Sequence, residues 1–157
     1  MNVLIASDEC PRGKRSLLVK YAIVEMIEKN GADTFYIRNS GSLQTFSVYI
    51  LNSLRKKYNV RINLYTPFIE CKHPNLIYYS DSSVHCFEEE KLPGYNPVEK
   101  DRIMLDRCEG LITNFKNKSA DILKTVAERK LKIINIADYP DPTAEPLYYT
   151  ERKLYRI

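Results

Sequence analysis

Short apolar segments alternate with amphipathic helical segments along most of the chain, and this alternation constrains the fold more than any other feature. Residues 2–6 form the first apolar run, and a loop with Pro11 and Gly13 separates it from a helical pattern over 14–29 that Asn30-Gly31 ends. The same analysis predicts further strands at 34–37, 60–65, 83–87, 111–113 and 131–136, and helices from Ser42 to about Lys57, from Asn96 to about Cys108 and over 119–129.

Strands that alternate with helices indicate a parallel sheet covered on both faces. Right-handed crossovers restrict such a sheet to a doubly wound topology. We therefore predict an α/β protein with a Rossmann-like three-layer α/β/α sandwich and a mainly parallel sheet. Residues 1–137 form this domain, and residues 138–157 form a C-terminal tail that packs on the domain or at an oligomer interface. A homodimer is therefore one of the alternatives that the sequence leaves open.

Charge and cysteine content favour some function classes over others. The net charge of +4 is mild and the basic residues are dispersed, so nucleic-acid binding is not favoured. The four cysteines form no C-x-x-C pair, and the Cys71/His73 spacing does not fit the usual zinc motifs, so we expect neither a metal nor a cofactor. The start MNVLIASDEC lacks a basic region and a long apolar region, and no apolar run is long enough to span a bilayer. We expect a cytoplasmic protein without membrane contact.

The loops that follow the strands carry the candidate ligand site. Ligands of doubly wound sheets bind beyond the carboxyl ends of the strands, at the point where the strand order reverses. Helices that begin near Ser42 and Ser119 present backbone N–H groups without intrahelical partners, which can hold an anion. Arg12, Lys116 and Lys118 add positive charge. The alternative, that Ser42 and Ser119 are only helix caps, stays open.

The sequence contains no recognisable catalytic motif, such as a nucleophile beside a histidine, a G-x-G-x-x-G turn or a Walker loop. The candidates for a catalytic base are Asp8 and Glu9, which equally fit a turn or an ion pair with Arg12. Asp101 and Asp106 are expected to be solvated partners of nearby arginines.

The segments EKDRIMLDRCEGLITNF (99–115) and KNKSADILKTVAERKLKIINI (116–136) resemble the second half of the SLOG superfamily. This group includes DprA-type domains, the YspA/YpsA-like proteins and the Lonely Guy phosphoribohydrolases. Lys100-Asp101 occupies the position of Arg-Asn in the YpsA-like branch, and Met104-Leu105-Asp106 occupies the position of its Met-Val-Asp. The resemblance covers residues 1 to about 137 and is most specific over 92–136. It implies a Rossmann-like domain that binds nucleotides or nucleotide-derived ligands.

Two departures from the family pattern bear on function. The Gly-Gly-Thr turn is replaced by Lys118-Ser119-Ala120, and Leu123 stands where the phosphoribohydrolases carry a Glu. A ligand sensor or sequestering protein therefore fits better than a hydrolase. The open alternatives are a nucleotide N-glycosidase or base-transfer enzyme and a DprA-like nucleic-acid-binding or assembly module. The predicted ligand contacts are Ser7, Asp8, Arg12, Asn39, Ser40, Gly41, Ser42, Asn114, Lys118 and Ser119.

Overall fold

A computed structural model describes residues 1–7, 9–38, 41–66, 78–85, 101, 103–116 and 121–142. Within these ranges a single sheet contains six strands, and every pair of neighbouring strands is parallel. The strands are β1 Asn2–Ile5, β2 Thr34–Arg38, β3 Arg61–Thr66, β4 Ser82–His85, β5 Gly110–Thr113 and β6 Lys132–Asn135. The helices are α1 Leu17–Asn30, α2 Ser42–Leu54 and α3 Asp121–Glu128, with 3₁₀ turns at Gly13–Ser16 and Ile136–Asp138. No helix within these ranges has the length and apolar character needed to cross a membrane.

The strand order is β4-β3-β2-β1-β5-β6, so the sheet is doubly wound. The chain builds outward from β1 to β4 and then returns to place β5 on the other side of β1. The strand order therefore reverses between β1 and β5, and a crevice for a ligand is expected beyond the carboxyl ends of these two strands. This topology confirms the predicted α/β fold.

Two apolar clusters cover the two faces of the sheet. One face carries Ile5, Ile37 and Leu64 and is covered by α1 and α2. The opposite face carries Leu4 and Leu111, and is covered by α3 and by the helical residues 103–105. Because side chains alternate along a strand, both faces of β1 are filled with apolar side chains, as a central parallel strand requires.

Helix α1 ends where the sequence predicts. Gly31 has a φ of 73° and a ψ of 29°, and its N–H donates to the carbonyl of Ile27 at 3.0 Å. This bond is that of an αL-type helix end, and the N–H of Ala32 donates in addition to the carbonyl of Met26 at 3.2 Å. The left-handed conformation explains why the chain uses glycine at this position.

The predicted cap of α2 is wrong by one residue. Gly41 occupies the cap position, Ser42 is the first helical residue, and no side-chain capping bond is formed there. Gly41 has a φ of 108° and a ψ of 148°, a backbone conformation that is essentially restricted to glycine. Because this conformation requires glycine, Gly41 takes the cap position and Ser42 becomes the first residue of the helix.

The prediction that Asp101 is solvated is also wrong. Asp101 is 7% exposed, and its carboxylate lies 3.2 Å from Nη1 of Arg38, at the end of β2. Asp106 is exposed, as predicted, but it forms an ion pair with Arg129, which lies 23 positions later in the chain and is not one of the neighbouring arginines of the prediction. Arg38 lies 63 positions before Asp101 in the chain, so no local sequence pattern predicts this ion pair.

Candidate functional site

A cavity of about 970 Å³ opens beyond the carboxyl ends of β1 and β5, at the switch point of the sheet. A volume of this size is within the range of small-molecule sites in proteins. Three loops and the N-terminus of α2 contribute to its wall. The lining residues are Glu9, Cys10, Pro11, Arg12, Arg15, Ser42, Asn114, Lys116 and Ala137.

Asn114 joins the loop after β5 to the loop after β1. Its side-chain Nδ2 donates to the carbonyl of Glu9 at 3.2 Å, and its own carbonyl accepts from the hydroxyl of Ser7 at 3.2 Å. The same hydroxyl accepts from the N–H of Glu9 at 3.3 Å. Ser7 is only 2% exposed, so its polar atoms hold the loop in place and do not face the cavity. These bonds place the Glu9 side chain at the wall.

Asn135, the last residue of β6, binds the backbone of the loop that follows β5. Its Oδ1 accepts from the N–H of Phe115, and its Nδ2 donates to the Phe115 carbonyl, both at 2.9 Å. Nearby, Nη2 of Arg15 donates to the carbonyls of Ile136 and Tyr139 at 3.0 and 3.1 Å. Neither Asn135 nor Arg15 is among the residues predicted for the site. A signal for Asn135 exists, because it is a polar residue at the carboxyl end of an apolar strand.

The N-terminus of α2 reaches the cavity through Ser42. Behind it, Nε2 of Gln44 donates to the carbonyl of Ser7 at 3.0 Å, so α2 is tied to the loop after β1. The Gln44 amide lies against Gly41, where an added Cβ would meet Oε1 at 2.3 Å. The first N–H groups of α2 lack partners within the helix and form its positive dipole end.

Positive charge dominates the cavity wall. Among the lining residues that the structure describes, Arg12 and Lys116 are exposed cations, Arg15 is a third cation and Glu9 is the one carboxylate. Burial raises the pKa of the Cys10 thiol, so this cysteine is protonated near neutral pH and is a poor nucleophile. In the described part of the chain, no three His, Cys, Asp or Glu side chains lie together as metal ligands would. The wall is suited to an anion.

The structure brings together several of the residues predicted as ligand contacts. Arg12, Ser42 and Asn114 line one cavity, and Glu9, a candidate base, lines it too. Gly41 is the residue before α2 and is not among the lining residues. Ser7 is buried behind the wall and does not line the cavity, and the remaining predicted residues, Asp8, Asn39, Ser40, Lys118 and Ser119, lie outside the described residues.

A buried polar cluster lies on the other face of the sheet, near the same edge. The Asp101 carboxylate accepts from Nη1 of Arg38 through Oδ2 and from the hydroxyl of Tyr65 through Oδ1. Arg38 is 4% exposed and Tyr65 is fully buried. Arg38 and Tyr65 are register partners on β2 and β3, so the cluster joins two strand ends to the segment that precedes β5.

Comparison of the chain with protein-family models, with curated proteins and with solved structures finds no significant match.

Proposed function

We propose that the protein binds a nucleotide, or a phosphorylated metabolite derived from one, in the cavity between the ends of β1 and β5. Its role is that of a SLOG-type sensor or sequestering protein. The observation that carries this proposal is the position of a positively charged cavity at the switch point of a doubly wound sheet.

The charges and the backbone of the wall support binding of a phosphate group. Arg12 and Lys116 supply exposed cations from two different loops, and the start of α2 supplies N–H donors beside Ser42. The cavity is larger than a phosphate needs, and this leaves room for a sugar and a base. Asn114 and Glu9, on the same wall, offer polar atoms for sugar hydroxyls.

The residue at the position of the phosphoribohydrolases' Glu is Leu123, and this supports the sensor or sequestering role. Leu123 lies on α3 and packs against the apolar cluster of the second sheet face. A leucine has no group that can stabilise a ribosyl cation or accept a proton. Arg12 and Lys116 can bind the phosphate group of a ligand without this catalytic group.

A thermal-shift screen tests the proposal, because a ligand that binds only the folded state raises the melting temperature. The screen compares the four nucleoside 5′-monophosphates with the unphosphorylated nucleosides and with inorganic phosphate. We expect a saturable rise with at least one monophosphate and none with its nucleoside. The variant Arg12→Ala/Lys116→Ala is expected to lose about a hundredfold or more in affinity, because each of the two charged hydrogen bonds contributes about 1.5–3 kcal/mol.

Lys56→Ala is the matched control, since Lys56 is an exposed cation just beyond the other end of α2. It is expected to bind as the wild type does. The proposal fails if no phosphorylated nucleoside binds, or if Lys56→Ala lowers affinity as much as the cavity variant does.

A second candidate function, hydrolysis of an N-glycosidic bond, is favoured by the place of Glu9. Its backbone is fixed by Ser7 and Asn114, and Glu9 is a lining residue of the cavity. In this reaction water attacks the anomeric carbon, the carboxylate accepts the proton of the water, and the base leaves with a proton from solvent. Release of free base from a monophosphate, abolished by Glu9→Gln, would establish this activity in place of simple binding.

A further inference from the structure

The buried cluster of Arg38, Asp101 and Tyr65 contributes no residue to the cavity wall, yet it lies at the same edge of the sheet. Nη1 of Arg38 lies 3.2 Å from Oδ2 of Asp101, and the hydroxyl of Tyr65 donates to Oδ1. All three residues are at least nine-tenths buried. A carboxylate and a guanidinium are thus held together away from water.

Stability alone does not account for this arrangement. Removing two charges from water carries a desolvation cost that their attraction often only offsets. Apolar residues of similar volume at such positions commonly give equal or greater stability. The surrounding face is already apolar, with Leu4, Met104 and Leu105 in its core. A directional bond, in contrast to an apolar contact, fixes the relative position of the elements it joins.

The elements joined by the cluster are the ones that lead to the cavity. Arg38 is the last residue of β2, and only three positions later Gly41 begins the turn into α2, whose first residue lines the cavity. Asp101 belongs to the segment that enters β5, and Asn114 follows the last residue of β5. Tyr65 adds the end of β3 through its register with Arg38.

We propose that this cluster is a positioning device, which fixes the N-terminus of α2 relative to β5 and the loop that carries Asn114. Arg38, Asp101 and Tyr65 are positioning residues that do not touch the ligand. Insofar as it concerns ligand affinity, this inference rests on the function proposed above. Its structural part, the coupling of two cavity walls, is independent of what the cavity binds.

The test replaces both charges by apolar side chains, in Arg38→Met/Asp101→Leu, so that no unpaired charge is left buried. Hydrogen exchange is followed along the chain by mass spectrometry. We expect exchange to rise about tenfold or more in residues 41–47 and 110–116, while residues 18–26 of α1 keep their protection. Arg129→Met/Asp106→Leu is the matched control, because it removes an exposed ion pair, and it is expected to leave both cavity segments unchanged.

Ligand titration provides the second readout. With the monophosphate that binds the wild type best, we expect the double variant to lose about tenfold in affinity when the titration is run well below its own melting temperature. If the wild type binds no nucleotide, the proposed function fails, and the exchange data alone decide the positioning role. The positioning role would be overturned by unchanged hydrogen exchange in the two cavity segments, or by a rise in exchange of the same size throughout α1.

Tyr65→Phe keeps the test decisive if the double variant does not fold. This change removes one hydrogen bond from Asp101 and leaves the ring and the ion pair in place. We expect a smaller rise in exchange in the same two segments. No rise there would count against the proposal.

Discussion

Substitution of Gly41 by alanine tests how the N-terminus of α2 is formed. At a φ of 108° and a ψ of 148° a non-glycine residue costs about 1–3 kcal/mol. The new Cβ would also lie 2.3 Å from Oε1 of Gln44, so the amide must move and give up its 3.0 Å bond to the Ser7 carbonyl. The loss of that bond adds about 0.5–1.5 kcal/mol. We therefore expect Gly41→Ala to lower the free energy of unfolding by about 2–4 kcal/mol.

Urea denaturation of a double-mutant cycle separates the two contributions. In a Gln44→Ala background the obstructing amide is gone, so Gly41→Ala should cost only the backbone strain, about 1 kcal/mol less than in the wild type. Gly31→Ala is the matched control. Gly31 also has a positive φ, of 73°, but an added Cβ would meet nothing within 4 Å. Its cost of about 1–2 kcal/mol should be the same in both backgrounds.

The reasoning is refuted by either of two results. A Gly41→Ala protein with unchanged stability would mean that the turn before α2 does not need glycine. An equal cost in the presence and absence of Gln44 would mean that the amide does not occupy the space beside Gly41.

Three further predictions concern other parts of the molecule. Arg38→Met removes the guanidinium that lies 3.2 Å from the buried Asp101 carboxylate, so the free energy of unfolding should fall by about 3–5 kcal/mol in urea denaturation; a loss below about 1 kcal/mol, as for an exposed pair, would contradict this. Asn135→Ala removes the side-chain partners of the Phe115 N–H and carbonyl and should cost about 1–3 kcal/mol by the same assay, whereas an unchanged midpoint would show that the loop does not depend on this clamp. Burial raises the pKa of the Cys108 thiol from 9.0 to about 12, so the unfolded chain loses this proton first as pH rises, and stability should decline between these values. Cys108→Ala should show a shallower decline in urea midpoints between pH 8 and 10.5, and an equal slope in both proteins would argue against a protonated, buried thiol.

The fold was predictable because its signals are local. The apolar run at residues 2–6 and the strand before Asn114 are short, flanked by turn residues and separated by helical patterns, and periodicity captures such features directly. The edge at which Ser42 and Asn114 meet followed from parallel topology alone, since all carboxyl ends of parallel strands lie on one side.

The missed features depend on contacts between distant parts of the chain. Asp101 stands among charged residues in sequence and therefore resembles a surface residue, but its partner Arg38 comes from β2. Arg15 was grouped with dispersed surface charges, although its guanidinium binds two carbonyls after β6. The cap of α2 was misplaced because serine is a frequent cap, whereas the strained turn required Gly41.

The most direct measurement of the central claim is a nuclear magnetic resonance titration of the isotope-labelled protein with the nucleoside 5′-monophosphates. We expect saturable shifts of backbone amide signals confined to residues 9–12, 42–44 and 114–116, which surround the cavity between β1 and β5. The absence of saturable shifts with every monophosphate, or shifts centred on another surface, would contradict the account.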